Sequence, residues 1–181
     1  LGPAHLPWLF QKKPPENWPK QTIPEMWICY RTNPAISSWD APEVANRIAE
    51  FPFTVAFAYT LDETNYMADV LLPDATDLES LQLSRVGGTG SAEQFWKHHG
   101  WAIRQPVVDP VTDCMDMTDI GTEISKRCGL LAEYNAAVNR GAGGMRLKTD
   151  AFDYSLDVDK PHTAEEIWDA IAKAASHDLS D

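Results

Sequence analysis

The chain has 181 residues, of which 44% are apolar and 23% charged, a composition typical of a globular domain with a buried core. Its formal net charge of −12 argues against binding to nucleic acid or to an anionic membrane surface, because both would repel it. No apolar run approaches the roughly 20 residues that a membrane-spanning helix needs. Three widely separated cysteines predict neither a disulfide framework nor a zinc or iron–sulfur site within this chain: Cys29, Cys114 and Cys128.

The N-terminal part of the chain is rich in proline. Residues 1–24 contain six prolines, interleaved with Trp8, Phe10 and Trp18, and this composition predicts an extended arm that lies on a surface. The alternative is a Pro-rich ligand for a small adaptor domain, although no P-x-x-P pair with basic flanks supports it. Because the chain begins at Leu1 without an initiator Met or a leader, we expect a piece of a longer protein.

A strand, a helix and a second strand follow the arm. Residues 26–30 form an apolar run of strand length, and Asp40 is placed to cap a helix over 41–51 that Pro52 ends. Residues 53–58 form a second strand, apolar on both faces, as in a strand that helices cover. The apolar residues of the helix recur at spacings of four and three, which predicts one buried stripe: Val44, Ile48 and Phe51.

The next elements complete the predicted fold. Asp62 can cap a helical turn over 63–67, and residues 70–72 form a third strand, so the alternation is that of a parallel sheet. After Glu79 the pattern of short apolar runs that predicts strands of the sheet becomes weak. Helices are then predicted at about 118–128 and 130–140, ended by Gly129 and Gly141, and a last helix starts at the capping box Thr163–Glu166.

These elements predict an α/β fold, with a Rossmann-like parallel sheet flanked by helices, extra C-terminal helices and the N-terminal arm. We divide the chain into the arm (1–24), a cofactor-binding α/β domain with a helical extension (25–145), and a linker with the C-terminal helix (146–181).

The stretch LDETNYMADVLLPDATDLE (61–79) holds six carboxylates and no Lys or Arg, which raises the alternative of a metal site. Calcium and magnesium need carboxylates that converge, usually on a loop with a glycine. Here the predicted turn and strand separate the acids. Asp62 is better explained as a helix cap, and Asp69 as a residue at the strand entry that bonds nearby backbone.

No self-contained catalytic site is evident. The glycine loop VGGTGS (86–91) lacks the Lys of a P-loop and the third glycine of a dinucleotide fingerprint. The adjacent residues His98 and His99 point in different directions and have no third ligand at useful spacing. The serines have no Gly-x-Ser-x-Gly context: Ser84, Ser91 and Ser125.

The predicted topology itself indicates a binding edge. In open parallel sheets ligands bind at the carboxyl ends of the strands, which here lead into the loops 31–34 and 59–62. Backbone N–H groups at the following helix starts favour phosphate, and small polar side chains can bond a sugar or a base. An elongated nucleotide-bearing cofactor fits this edge.

The segment YRTNPAIS, a helix, and FTVAFAYTLDETNYMADVLLPDATDLE resemble the third domain of molybdopterin oxidoreductases of the dimethyl sulfoxide reductase family. That pattern places Asn-Pro after a strand, then a second strand, Glu-Thr, Ala-Asp, an apolar triplet ending in Leu-Pro, and a Glu. The resemblance covers about residues 25–80, and the matching positions are Asn33-Pro34, Glu63-Thr64, Ala68-Asp69, Leu72-Pro73 and Glu79.

Two later segments, GWAIRQPVVDPVTD and KRCGLLAEYNAAVNRG, resemble the continuation of catalytic subunits in this family. Among the members of this family, the segments resemble phenylacetyl-CoA:acceptor oxidoreductase and the thiosulfate and polysulfide reductases.

The resemblance implies two molybdopterin guanine dinucleotides on one molybdenum or tungsten, with this domain holding one nucleotide arm. It also implies an iron–sulfur cluster and a metal ligand in other domains of the catalytic subunit, and an iron–sulfur electron-transfer subunit as partner. We therefore expect the chain to be inactive alone and to contain no catalytic residue. The expected cofactor-binding residues are Thr32, Asn33, Pro34, Tyr59, Thr60, Asp62, Glu63 and Thr64.

Asn33 and the 58–62 loop are expected to line the pyrophosphate or guanosine, and Glu63, Thr64 and Asp69 to hold that loop's shape. Several relatives place an Asp at the end of the second strand to bond guanine, where this chain has Ala58. Two alternatives stay open: a non-redox enzyme with the same cofactor, such as a hydratase or transhydroxylase, and a degenerate, cofactor-free interaction module. Ala58 slightly favours the second of these, whereas the intact Asn33-Pro34 and Glu63-Thr64 disfavour it.

Overall fold

The computed structural model describes residues 16–17, 24–38, 40–86, 100–111 and 113–178. The chain divides into two compact units, Leu1–Asp74 and Ala75–Asp181. Residues 87–91 of the glycine loop and the pair His98 and His99 lie outside the described residues, as does nearly all of the predicted arm. The domain limits predicted from the sequence, after residues 24 and 145, stay a prediction.

The first unit is an α/β fold built on a parallel sheet. Its strands are β1 (Trp27–Tyr30), β2 (Thr54–Ala58) and β3 (Val70–Pro73), paired in the order β1-β2-β3. The connections hold helix α1 (Pro34–Ser37), helix α2 (Ala41–Ile48) and a 3₁₀ turn (Asn65–Met67). The predicted parallel α/β architecture is therefore confirmed.

Helix α2 packs its predicted stripe into a small core. Val44, Ile48 and Phe51 are all buried, together with Ala35 of α1. Phe51 follows α2, which ends at Ile48 rather than at the predicted residue 51. The Phe51 ring stacks on Trp27 of β1, with centroids 5.3 Å apart, and so ties the segment after the helix to the sheet.

Asp40 precedes α2 as predicted, but the prediction that its side chain caps the helix is wrong. Its backbone is left-handed, with φ of 58°, and its carboxylate accepts no hydrogen bond from the first turn. Side-chain caps require an extended backbone at this position, which aims the side-chain oxygen at the free N–H groups.

The second unit contains a sheet that sequence patterns did not predict. Strands β4 (Gln82–Val86) and β5 (Gly100–Arg104) pair antiparallel, whereas we expected the sheet signal to end at Glu79. The expectation was wrong because the partner strand comes from a distant segment, and a short strand with alternating polar residues gains its stability from that pairing.

The helices of the second unit are those predicted. They are α3 (Met117–Arg127), α4 (Leu131–Asn139) and α5 (Ala164–Ser176). Gly129 and Gly141 follow α3 and α4 with φ of 72° and 110°, the conformation that favours glycine just after a helix. Thr163 and Glu166 form the predicted capping box of α5.

One core joins these elements. Ile167, Ile171 and Ala174 of α5 are buried. They pack with residues of β4, α4 and the following segment: Leu83, Val138 and Leu147. None of the helices in the described part of the chain is long and apolar enough to cross a membrane.

Candidate functional site

The candidate site lies at the carboxyl edge of β1 and β2. The loop with Thr32, Asn33 and Pro34 follows β1, and the loop that starts at Tyr59 follows β2. Because the two strands are parallel and Tyr30 pairs with Phe57, both loops leave the same edge of the sheet. The expectation that Asn33 and Tyr59 share this edge is confirmed.

Asn33 ties the two loops together. Its Nδ2 donates to Glu63 Oε2 at 2.7 Å, and its Oδ1 accepts from the Thr64 hydroxyl at 2.7 Å. The Thr64 oxygen in turn accepts from the backbone N–H of Ala35 at 3.0 Å. Thr64 is 1% exposed, so this linkage is shielded from water at its centre. The two loops are thus held in one arrangement by side chains 30 and 31 residues apart.

Asp62 shapes the second loop, as predicted. Its Oδ1 accepts from the N–H groups of Thr64 at 2.9 Å and Asn65 at 2.8 Å. Asn65, which sequence reasoning missed, completes the turn: its Oδ1 accepts from Asp62 N and its Nδ2 donates to Thr60 O. The spacing of Asp62 and Asn65 is that of a capping box with Asn in place of Glu, and this is the signal that could have found it.

These bonds also occupy the helix-start N–H groups at which phosphate was expected. Pro34 has no N–H, and that of Ala35 is bonded to Thr64. The N–H groups of Thr64 and Asn65 are bonded to Asp62. A phosphate at this edge would therefore have to bind groups other than these N–H groups, or displace the side chains that already bond them.

A second cluster at the same edge centres on Arg31, which sequence reasoning placed in the loop but not in the site. Its backbone has φ of 45°, uncommon for a residue with a side chain. Its guanidinium pairs with the buried carboxylate of Asp74, directly after β3. The same group lies 5.3 Å from the ring centroids of both Tyr30 and Tyr59. The contacts join residues up to 43 positions apart, so no local pattern indicates them.

The other predicted site residues are exposed to solvent or take part only through their backbone. Thr60 is exposed, and Tyr59 is 51% exposed. The backbone carbonyl of Thr32 accepts a hydrogen bond from the thiol of Cys29 at 3.5 Å.

Burial raises the pKa of the Cys29 thiol, while the amide of Asn33 holds the pKa of the Glu63 carboxyl below its usual range. Glu63 is therefore an anion at neutral pH, braced by Asn33.

The carboxylates of the stretch 61–79 have hydrogen-bond or ion-pair partners within the chain. Asp69 Oδ2 accepts from Thr54 N at 2.8 Å, as expected of a residue at the strand entry. In the second unit, Asp77 pairs with Arg104 at 2.6 Å, and Glu79 accepts from Thr76 N at 2.8 Å. Within the described part of the chain, no three His, Cys, Asp or Glu side chains converge in a way that could hold a metal ion.

The fold and site together define an α/β unit with two braced loops at the carboxyl edge of a parallel sheet. No family model matches the chain, and no curated protein matches it significantly.

Proposed function

We propose that the unit Leu1–Asp74 is the nucleotide-binding part of a catalytic subunit of the dimethyl sulfoxide reductase family. In this role it holds one guanosine arm of a bis-molybdopterin guanine dinucleotide that carries molybdenum or tungsten. One observation carries the proposal. The two motifs that support the resemblance, Asn33-Pro34 and Glu63-Thr64, are in direct hydrogen-bond contact at a ligand-binding edge of the sheet.

The residues at this edge fit the nucleoside end of such a cofactor. The exposed Tyr59 ring offers an aromatic face, Thr60 offers a hydroxyl for a sugar, and Arg31 offers a guanidinium. Asn33, Asp62 and the residues they bond keep the loops in place. When bound, the cofactor would supply the metal and pterin redox chemistry, and this unit would supply binding and orientation.

Other domains are proposed to supply the rest of the enzyme. The metal ligand and the iron–sulfur cluster are assigned to those domains, and electrons would pass to an iron–sulfur subunit.

The test uses the full-length native protein. It is purified, oxidised to convert the pterin to a fluorescent form, and assayed for pterin, released GMP, and molybdenum or tungsten. We expect all three. Asn33→Ala should lower the pterin content, whereas Asn46→Ala, an exposed Asn on α2, should not. A well-folded protein with neither pterin nor metal would overturn the proposal.

The second candidate is a cofactor-free interaction module, and two features favour it. The helix-start N–H groups at the edge already have partners within the chain, and the end of β2 is Ala58, which cannot bond a base through its side chain. For this candidate, the same assay would find a folded protein without pterin, and Asn33→Ala would affect stability alone.

A further inference from the structure

The ring of Tyr59 is a candidate platform for a flat ligand. Tyr59 comes directly after β2, and the residue is 51% exposed although the Arg31 guanidinium lies 5.3 Å from the centroid of its ring. A cation near an aromatic ring is attracted to it, and such contact restricts the ring's motion. An exposed ring in this position can stack a base, since every base has a π-face.

The ring's partner is itself fixed. Arg31 is held at the end of β1 by the carboxylate of Asp74, which is 3% exposed. Asp74 is anchored in turn, because its N–H donates to Ala58 O, at the end of β2, at 3.2 Å. Three strand ends therefore position one aromatic ring, and the platform exists before a ligand arrives.

The acidic side chains at this edge are engaged in holding the chain's own loops. Asp62, Glu63 and Asp74 each already accept a hydrogen bond or ion pair from the chain. Ala58 presents only a methyl group. Stacking needs none of these groups, and it grows with the area of the base.

We propose that Tyr59, positioned by Arg31, is the stacking platform for the nucleotide, and that the site selects purine nucleotides by ring area rather than by hydrogen bonds to the base edge. The inference rests on the proposed function and adds the ligand class that this edge accepts.

The test is calorimetric titration of the full chain with GDP, ADP and UDP. We expect GDP and ADP to bind within about threefold of each other and UDP about tenfold more weakly, because stacking favours the larger ring system. Tyr59→Ala should weaken the binding of GDP and of ADP about 10- to 100-fold, whereas the affinities of Tyr59→Phe, which keeps the ring, should stay within about threefold of the wild-type values.

Tyr66→Ala is the matched control. Tyr66 is 75% exposed in the same unit, on the 3₁₀ turn, and its loss should leave both affinities unchanged. A circular dichroism spectrum establishes that each variant is folded. Two results would overturn the inference and leave the proposed function standing: a preference of more than about tenfold for GDP over ADP, or nucleotide binding that Tyr59→Ala does not weaken. If a folded chain binds none of the three nucleotides at millimolar concentration, the proposed function fails as well.

Discussion

The side-chain oxygen of Asn33 accepts a hydrogen bond from the hydroxyl of Thr64 at 2.7 Å, which joins the loop after β1 to the loop after β2. The same hydroxyl oxygen accepts from Ala35 N, so one buried atom serves both loops. A sheet edge made of two loops keeps its shape only if something links them, and here the link is internal to the unit.

Thr64→Val should destabilise the first unit. Valine keeps the volume of threonine but removes the hydroxyl, which leaves Asn33 Oδ1 and Ala35 N without this partner in a buried place. We expect a loss of about 1–3 kcal/mol in the free energy of unfolding, measured by urea denaturation. The exposed Thr60 supplies the control, since Thr60→Val should cost less than about 0.5 kcal/mol. Equal costs for the two variants would contradict the role given to Thr64.

Asn33→Ala should raise the pKa of Glu63 toward its ordinary value, because the Asn33 amide is the main group that lowers it. A lowered pKa in the folded state adds stability above the ordinary glutamate pKa, and this stability is lost as pH falls through the folded pKa. The wild-type protein should therefore lose more stability than Asn33→Ala over that acidic range.

The measurement is a carbon-13 NMR titration of the Glu63 carboxyl, with unfolding curves at each pH. Glu79 is the internal control, because its pKa is lowered by the backbone N–H of Thr76 and should not respond to Asn33→Ala. If the pKa of Glu63 stays low in the variant, the hydrogen bond to Asn33 is not what lowers it.

Asp69→Ala should destabilise the start of β2. Asp69 Oδ2 accepts from the N–H of Thr54, and Thr54 is 3% exposed, so the substitution leaves a buried donor without this acceptor. The expected loss is about 1–3 kcal/mol in the free energy of unfolding. Asp69→Asn keeps an acceptor oxygen and should lose less. Amide hydrogen exchange at Thr54 reports the effect directly, and unchanged protection in Asp69→Ala would count against it.

Gly143→Ala should disturb the core of the second unit. A Cβ atom at Gly143 would lie 2.5 Å from Cδ1 of Ile171, a side chain that is 0% exposed. We expect a loss of about 1–3 kcal/mol from overpacking.

Ile171→Val removes the methyl group that would clash, and on its own it should cost about 0.5–1.5 kcal/mol. In a double-mutant cycle, the pair should therefore cost less than the sum of the two single variants. Additive costs, measured by thermal or urea unfolding, would show that Gly143 is constrained by something other than Ile171.

Elements governed by local rules could be predicted from the sequence. The capping box of α5 depends on Thr163 and Glu166, three positions apart, and both are readable in the chain. The ends of α3 and α4 follow from Gly129 and Gly141 in the same way. The turn held by Asp62 was also predicted, because the side chain bonds N–H groups two and three residues ahead.

Local rules failed at two places. Asp40 has the right identity and place for a cap, yet its left-handed backbone gives the side chain no role in capping. Strand β4 needs β5 as partner, and the nearest residues of the two strands are 14 positions apart.

The sequence by itself determined the alternation of β1, β2 and β3 with helical segments, the ends of α3 and α4, and which loops leave the carboxyl edge of the parallel sheet, because these follow from hydrophobic spacing, turn residues and the direction of parallel strands. Only the tertiary structure decided how that edge is built. It brought Arg31 to Asp74 and Tyr59, and it joined Asn33 to Glu63 and Thr64. The physical reason is that these contacts link residues 28 to 43 positions apart, which the pairing of β1, β2 and β3 brings together.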